Sequence, residues 1–342
     1  MPSVHTGGDS GRHTACACYI GSPARLGLLL AAGLLILSGS SCHWLAPPQN
    51  DVFGGPALPP SPTLEQIAAV VNNNSGQIRT FAANQATLSG QGFPSLRTTV
   101  QFERPGRLRL VAGTALMGPE IDLGSNEEIF WIWIRRNQPP ALYYCRHDQY
   151  ASSPARRTLG VDPDWLIEAA GVTEINPNLP HQGPTPLSGG RYEIRLQIPS
   201  PDGPTTKILI VDSRGLILEQ HEFDAQGQPI ASAVNRSHRR DPRSGLVMPR
   251  VVEIQVPRMG LSMRLDLGNV EINGPSVETA AWWTMPHYDG WPPVDLCDPS
   301  LQFVPAGVPP QAYAPPFRPR DWRNASAANP QQLPVQVSVR ER

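Results

Sequence analysis

Apolar and polar residues alternate along most of residues 78–272, and short runs of Pro, Gly, Asp and Asn interrupt the alternation. A period of two bounded by turn residues predicts a long meander of β-strands. Strands are expected at Ile78–Gly90, Leu96–Glu103, Arg107–Ala112, Glu120–Leu123, Ile129–Arg135 and Ala141–Arg146. They resume at Arg191–Ile198, Lys207–Val211, Leu216–Phe223, Pro229–His238, Val247–Val256 and Leu261–Ile272. Arg104-Pro105-Gly106, Asp212–Gly215 and Asp224–Gln228 have the composition of the turns between them. Two stretches follow a helical period instead. Leu64, Ile67, Ala68 and Val71 share one helical face, with Ser61 or Thr63 as cap, Pro62 in the first turn and Asn72–Gly76 as the stop. In "DPDWLIEAAG", Asp162 is expected to cap a second short helix that Pro163 starts and Gly171 ends.

One strand breaks the rule. In "LGSNEEIFWIWIRR", Leu123 to Arg136, Phe130, Ile132 and Ile134 fall on one face and Trp131 and Trp133 on the other. A half-exposed strand shows one apolar face; this one needs both covered. A curved sheet satisfies it if one set lines a hollow while the other packs under a helix, loop or tail. A central strand of a two-layer sandwich satisfies it as well. The alternation leaves open which set faces inward. Phe130, Trp131, Ile132, Trp133 and Ile134 are therefore all candidates to line an apolar cavity.

The N-terminus sets the organisation. "RLGLLLAAGLLILSGSSC" places a basic residue, an apolar run from Leu26 to Leu37 and small residues before Cys42. The run is too short for a stable membrane-spanning helix and fits the core of an export signal. Small residues ahead of a Cys resemble a bacterial lipobox, although Gly39 stands where that pattern prefers Leu. Residues 1–42 are read as a lipoprotein signal peptide with Cys42 as the lipid-attachment site. Residues 43–62 read as a Pro-rich tether, 63–290 as the folded domain and 291–342 as a Pro-rich, largely disordered tail. With Cys16 and Cys18 in the signal segment and Cys42 lipidated, Cys145 and Cys297 remain, either as a disulfide or as two buried thiols.

Composition excludes more than it identifies. The chain has 342 residues, 39 of them Pro, and a net charge of -1, which gives no footprint for nucleic acid. There is no C-x-x-C beyond the signal segment, no G-x-S-x-G elbow, no H-E-x-x-H, no P-loop and no dinucleotide fingerprint. No cofactor, metal or catalytic residue is expected, and the protein is read as no enzyme. His147-Asp148 and His221-Glu222 are sequence neighbours, so on strands their side chains diverge. His287 and Asp289 can share a face, with His238 as a further candidate, but loop polarity explains them more simply. Lys207 is the only lysine.

Two motifs then point to a family. "FERPGRLRL", Phe102 to Leu110, and "MGPEIDLGSNEEIFWIWI", Met117 to Ile134, resemble the F-x-R-P-G-R-x-R hairpin and G-S-N-x-x-x-F-W strand of the LolA/LolB-like superfamily of bacterial lipoprotein carriers and receptors. "MPRVVEIQVPRMGLSMRLDLGNVEIN", Met248 to Asn273, resembles its closing hairpin. The resemblance covers about residues 63–285. It implies a mainly β fold: a strongly curved antiparallel sheet, an incomplete β-barrel, with short helices covering an apolar concave face that accepts acyl chains. Arg104, Arg107 and Arg109 become rim candidates for anionic lipid headgroups, against the simpler reading of solvated turn arginines. Cys42 makes the chain more like the anchored receptor than the soluble carrier, while the long tether and tail match neither. The expected function is a membrane-anchored lipoprotein whose hydrophobic cavity handles lipid or lipoprotein acyl chains in the cell envelope. The alternative is a structural or interaction lipoprotein with the same fold and no ligand. The expected partners are the membrane, through the lipidated N-terminus, acyl chains, and a periplasmic protein left unspecified. His43 rather than Asp after Cys42 favours the periplasmic face of the outer membrane.

Overall fold

The computed structural model describes residues 58–300, apart from 91–92, 160, 162, 276–279 and 299. Cys42, the signal segment, the tether up to residue 57 and the tail from residue 301 lie outside the described residues.

Six strands form a first meander: β1 (Thr80–Gly90), β2 (Phe93–Glu103), β3 (Arg107–Thr114), β4 (Gly118–Ser125), β5 (Ile129–Ile134) and β6 (Leu142–Arg146). Helices α1 (Leu64–Ser75), α2 (His147–Tyr150), α3 (Pro154–Leu159) and α4 (Trp165–Ala169) come before and after it. A second meander follows as β7 (His181–Leu187), β8 (Arg191–Ile198), β9 (Thr205–Asp212), β10 (Ile217–Phe223) and β11 (Pro229–Arg236). A small hairpin, β12 (Arg239–Arg240) and β13 (Val247–Met248), leads to β14 (Val251–Val256), β15 (Leu261–Asp266), β16 (Glu271–Ile272) and β17 (Pro293–Asp295).

The main sheet runs β17-β6-β5-β4-β3-β2-β1-β15-β14-β11-β10-β9-β8-β7, with β16 also on β1. Every pairing along it is antiparallel except β17 on β6. The two meanders join where β15 returns to β1, with Thr87 opposite Asp266. The sheet is open, ending at β17 and β7, as expected of an incomplete barrel. Register shifts in β1 and between β3 and β4 insert unpaired residues, which bend and twist a sheet locally.

Helix α1 begins at Thr63, whose hydroxyl accepts from Gln66 N–H while the Gln66 side chain accepts from Thr63 N–H. This reciprocal cap satisfies two end donors. Leu64, Ile67, Ala68 and Val71 pack on Ile194, Leu209 and Val211 of the second meander. Burying such side chains contributes about 1.5–3 kcal/mol each, more than the cap.

Several boundaries differ from the sequence reading. Val247–Val256 is two strands, because Pro249 has no N–H to continue the ladder. Leu261–Ile272 is broken after Asp266, where Gly268 takes a left-handed turn at φ 58°. The second expected helix starts at Trp165 with Asp164 at its N-cap position and no side-chain cap; Asp162 lies outside the described residues. Helices α2 and α3 and strand β7, with its two prolines, carried no periodic signal. The folded unit is also wider than 63–290. The Leu58 N–H bonds to Ser213 O, Tyr192 OH donates to Pro59 and Pro60, and β17 extends the sheet beyond residue 290.

Candidate functional site

Strand β5 sorts its side chains as alternation requires. Phe130, Ile132 and Ile134 line a hollow on one face. Trp131 and Trp133 pack with Leu142 on the other, and each is 1% exposed. Trp131 also borders the hollow at Gly124, its cross-strand partner, which carries no side chain. A Cβ on Gly124 would collide with the Trp131 indole, which gives the glycine of the G-S-N motif a steric reason. Asn126 of that motif makes the turn: its Oδ1 accepts from the N–H groups of Glu128 and Ile129.

The hollow holds about 180 Å³ of empty space. An engineered apolar cavity of about 150 Å³ is enough to bind benzene. Leu108, Leu110, Ile121 and Leu123 continue the sheet wall across β3 and β4, and Val256, Leu261 and Met263 close it from β14 and β15. Ser125 is the one hydroxyl among the lining residues, and it is bonded to His147. The mouth lies where two lining residues reach solvent, Ile134 at 39% and Met259 at 36% exposure. A narrower space of about 30 Å³ carries on inward past Val252, Ile254 and Ala170. A third void of about 150 Å³ abuts the mouth between Ile134, Thr114 and Arg136. Beyond Thr114, the β3–β4 turn exposes Leu116 at 97% and Met117 at 60%.

The cover is thin. Leu159 of α3, Val161 and Pro163 of the connection, and Trp165 and Leu166 of α4 face the hollow. Helix α4 is pinned at its far end. Lys207 Nζ pairs with Glu168 and, at 3.5 Å, with Glu222, and Gln220 Nε2 donates to Glu168 O. The single lysine of the chain thus ties the lid to β9 and β10. Sequence reasoning gave it no role, because the pairing needs the register of three separated segments.

The opposite face of β3–β6 is filled. Asp122, fully buried, accepts a fork from Arg109 at 3.2 and 2.8 Å, the Trp131 indole N–H at 3.2 Å and the Tyr288 hydroxyl at 2.7 Å. Arg109 also donates to Trp282 O and lies over the Trp282 ring, 4.7 Å from its centroid. Trp133 stacks on Tyr288 at 3.8 Å and meets Trp291 edge-on at 5.5 Å. Burial, and then the Asp122 charge and hydrogen bond, push the Tyr288 hydroxyl pKa up. Past β17 the chain crosses to the other face, where a disulfide joins Cys297 to Cys145, the cross-strand partner of Phe130, with Cα atoms 5.5 Å apart, and fastens the end of this C-terminal strap.

The three arginines do not act alike. None of them lines the hollow. Arg104 donates to Ile78 O and Ser75 O and pairs with Glu174. Arg107 bridges Glu103 and Glu127, and Arg109 is the buried partner of Asp122 on the far face. His287 and Asp289 do meet, at 3.2 Å, but both are open to solvent. His238 lies elsewhere, against Ile217 O and near Asp212.

No protein-family model matches the sequence, and no curated protein does. Solved structures similar to this chain include a DUF1329 family protein from Desulfovibrio piger at 11% identity and TM-score 0.43, covering 64% of this chain and 94% of that one. A Vibrio parahaemolyticus domain named for outer membrane lipoprotein sorting matches at 6% identity and TM-score 0.45, covering 64% and 96%. A LolA superfamily protein from Nitrosomonas europaea matches at 11% identity and TM-score 0.37, covering 60% and 94%. At such identities and TM-scores these likenesses say nothing about activity, and the chemistry of the hollow has to carry that question.

Proposed function

We propose that the protein is an envelope lipoprotein that shelters alkyl chains in the hollow beneath α3 and α4. The observation that carries this reading is the wall itself: an unfilled space of about 180 Å³ faced almost wholly by aliphatic and aromatic side chains, opening between Ile134 and Met259. Water gains no hydrogen-bond partners there, whereas an alkyl chain gains about 0.8 kcal/mol for each buried CH₂. Leu116 and Met117 offer an apolar step beside the mouth for a chain leaving a membrane. Acylated Cys42 would hold the domain near that membrane on its tether, and mass measurement of the mature N-terminus tests that part: an unmodified or differently cut N-terminus removes it.

The hollow is tested with the full chain purified from membranes and titrated with a fluorescent acyl-chain probe. Wild type is expected to take up the probe saturably. Ile132→Asp, which puts a charge in the wall, should abolish uptake, and Thr99→Glu, at a half-exposed site outside the lining, should not. Equal uptake by both variants would remove the reading.

A further inference from the structure

Beside Val252, at the inner end of the hollow, two buried polar side chains that are not part of its lining carry atoms with nothing to bond. Asn235 is 4% exposed, and neither its Nδ2 nor its Oδ1 has a partner. Arg250 is 7% exposed, and its Nε and Nη1 have none. Among the described residues no carboxylate forms an ion pair with Arg250. Leaving such groups unsatisfied is costly, and the guanidinium is the costlier of the two.

Register places both on the side of the hollow. Asn235 stands directly opposite Val252, which lines the inner space, and Leu265 flanks Val252 on its other side. Directly opposed residues share a face of a sheet. Arg250 precedes Val252 by two, and its carbonyl accepts from Leu267 N–H, one step beyond the Val251–Asp266 pair. It therefore faces the same way, opposite the fully buried Leu267 of the main core. Arg239 adds positive potential at this point and Asp241 opposes it.

We propose that Arg250 and Asn235 form an anion site just beyond Val252 at the closed end of the hollow, and that it takes the carboxylate of an unesterified long-chain fatty acid. The inference rests on the alkyl-chain reading above. A guanidinium fork matches a carboxylate edge, and an adjacent amide adds a donor for the same group. A bulkier phosphate headgroup does not suit a passage of about 30 Å³. Val256 borders the outer hollow, six residues along β14 from Arg250. At about 3.4 Å per residue that is roughly 20 Å. With carbon–carbon bonds of about 1.5 Å, an extended chain of on the order of 15 carbons covers it. The acid would lie carboxylate inward, with its tail toward Ile134 and Met259.

The test compares palmitic acid with methyl palmitate on the full-length protein. The acid is expected to bind at least about tenfold more tightly, as for hydrogen bonds to a charged group. Arg250→Met should erase that preference and leave the affinity for the ester unchanged. The variant removes a buried charge without opening a cavity, so folding is expected to survive. The wild-type comparison stands even if the variant does not fold. Equal affinity of wild type for acid and ester overturns this inference alone, with water as the occupant of the site. Binding of neither ligand overturns the alkyl-chain reading too.

Discussion

The two faces of β5 receive side chains of similar size and bury them in different ways. On the outer face Asp122 uses its oxygens on four hydrogen bonds and Trp133 is stacked on Tyr288 of the strap that covers them; the disulfide that fastens the strap's end lies on the Phe130 face. On the inner face Phe130 and Ile132 meet short helices that leave about 180 Å³ unfilled. Protein interiors are normally packed like organic crystals, and a void of this size forfeits dispersion contacts along its whole lining. One strand thus shows that this sequence can close a face when closure serves stability. The proposed function accounts for the open face by an alkyl guest.

The contrast makes the outer face the more fragile to a single deletion. Asp122→Ala leaves Arg109 buried without its partner and should cost about 3–5 kcal/mol in denaturant unfolding. A loss under about 1 kcal/mol would mean that the cluster is not the clasp described here. Reducing the Cys145–Cys297 bond, which closes a separation of 152 residues, should cost about 2–5 kcal/mol. It should also increase proteolysis of the strap near Trp291 more than proteolysis around β8 or β9. Equal protection before and after reduction would count against the strap.

Adjacent residues sharpen the comparison further. Gly124→Ala adds one methyl on the outer face, where it meets the Trp131 ring, and should cost about 1–3 kcal/mol. Leu123→Trp adds a far larger group on the inner face, into the hollow, and should change stability by less than the alanine does. The reverse order would show that the hollow is not spare space.

The smallest effect concerns acid. Burial holds the His238 pKa below its usual 6.5, with Asp212 and Ile217 O opposing the shift. The unfolded chain therefore takes up this proton first, and stability should decline as pH falls below about 6.5 toward the lower folded-state value. His238→Gln should flatten that part of the stability–pH curve, and an unchanged slope would assign it to other groups.

Much of this architecture was legible in the chain. Period two placed the strands of both meanders, and apolar residues on both faces of Phe130–Ile134 required two covers. The first helix was legible from its capped, amphipathic run. Asp122 was hidden: it sits between Ile121 and Leu123 like any solvent-facing residue, and only the register, which sets it opposite Trp133 and Val111 and diagonal to Arg109, reveals its burial. Arg109 was expected at a rim for the same reason. The strap, too, gave little local pattern, since its aromatics are held by partners some 150 residues earlier. Arg250 was masked by the expectation of one unbroken strand through Pro249.

The most direct test of the central claim is a fluorescence titration of the full-length wild type and of Leu123→Trp with the same acyl-chain probe, after both are shown to be folded. The account predicts saturable uptake by wild type and none by the filled variant. Undiminished uptake in Leu123→Trp, or no uptake by wild type, would contradict it.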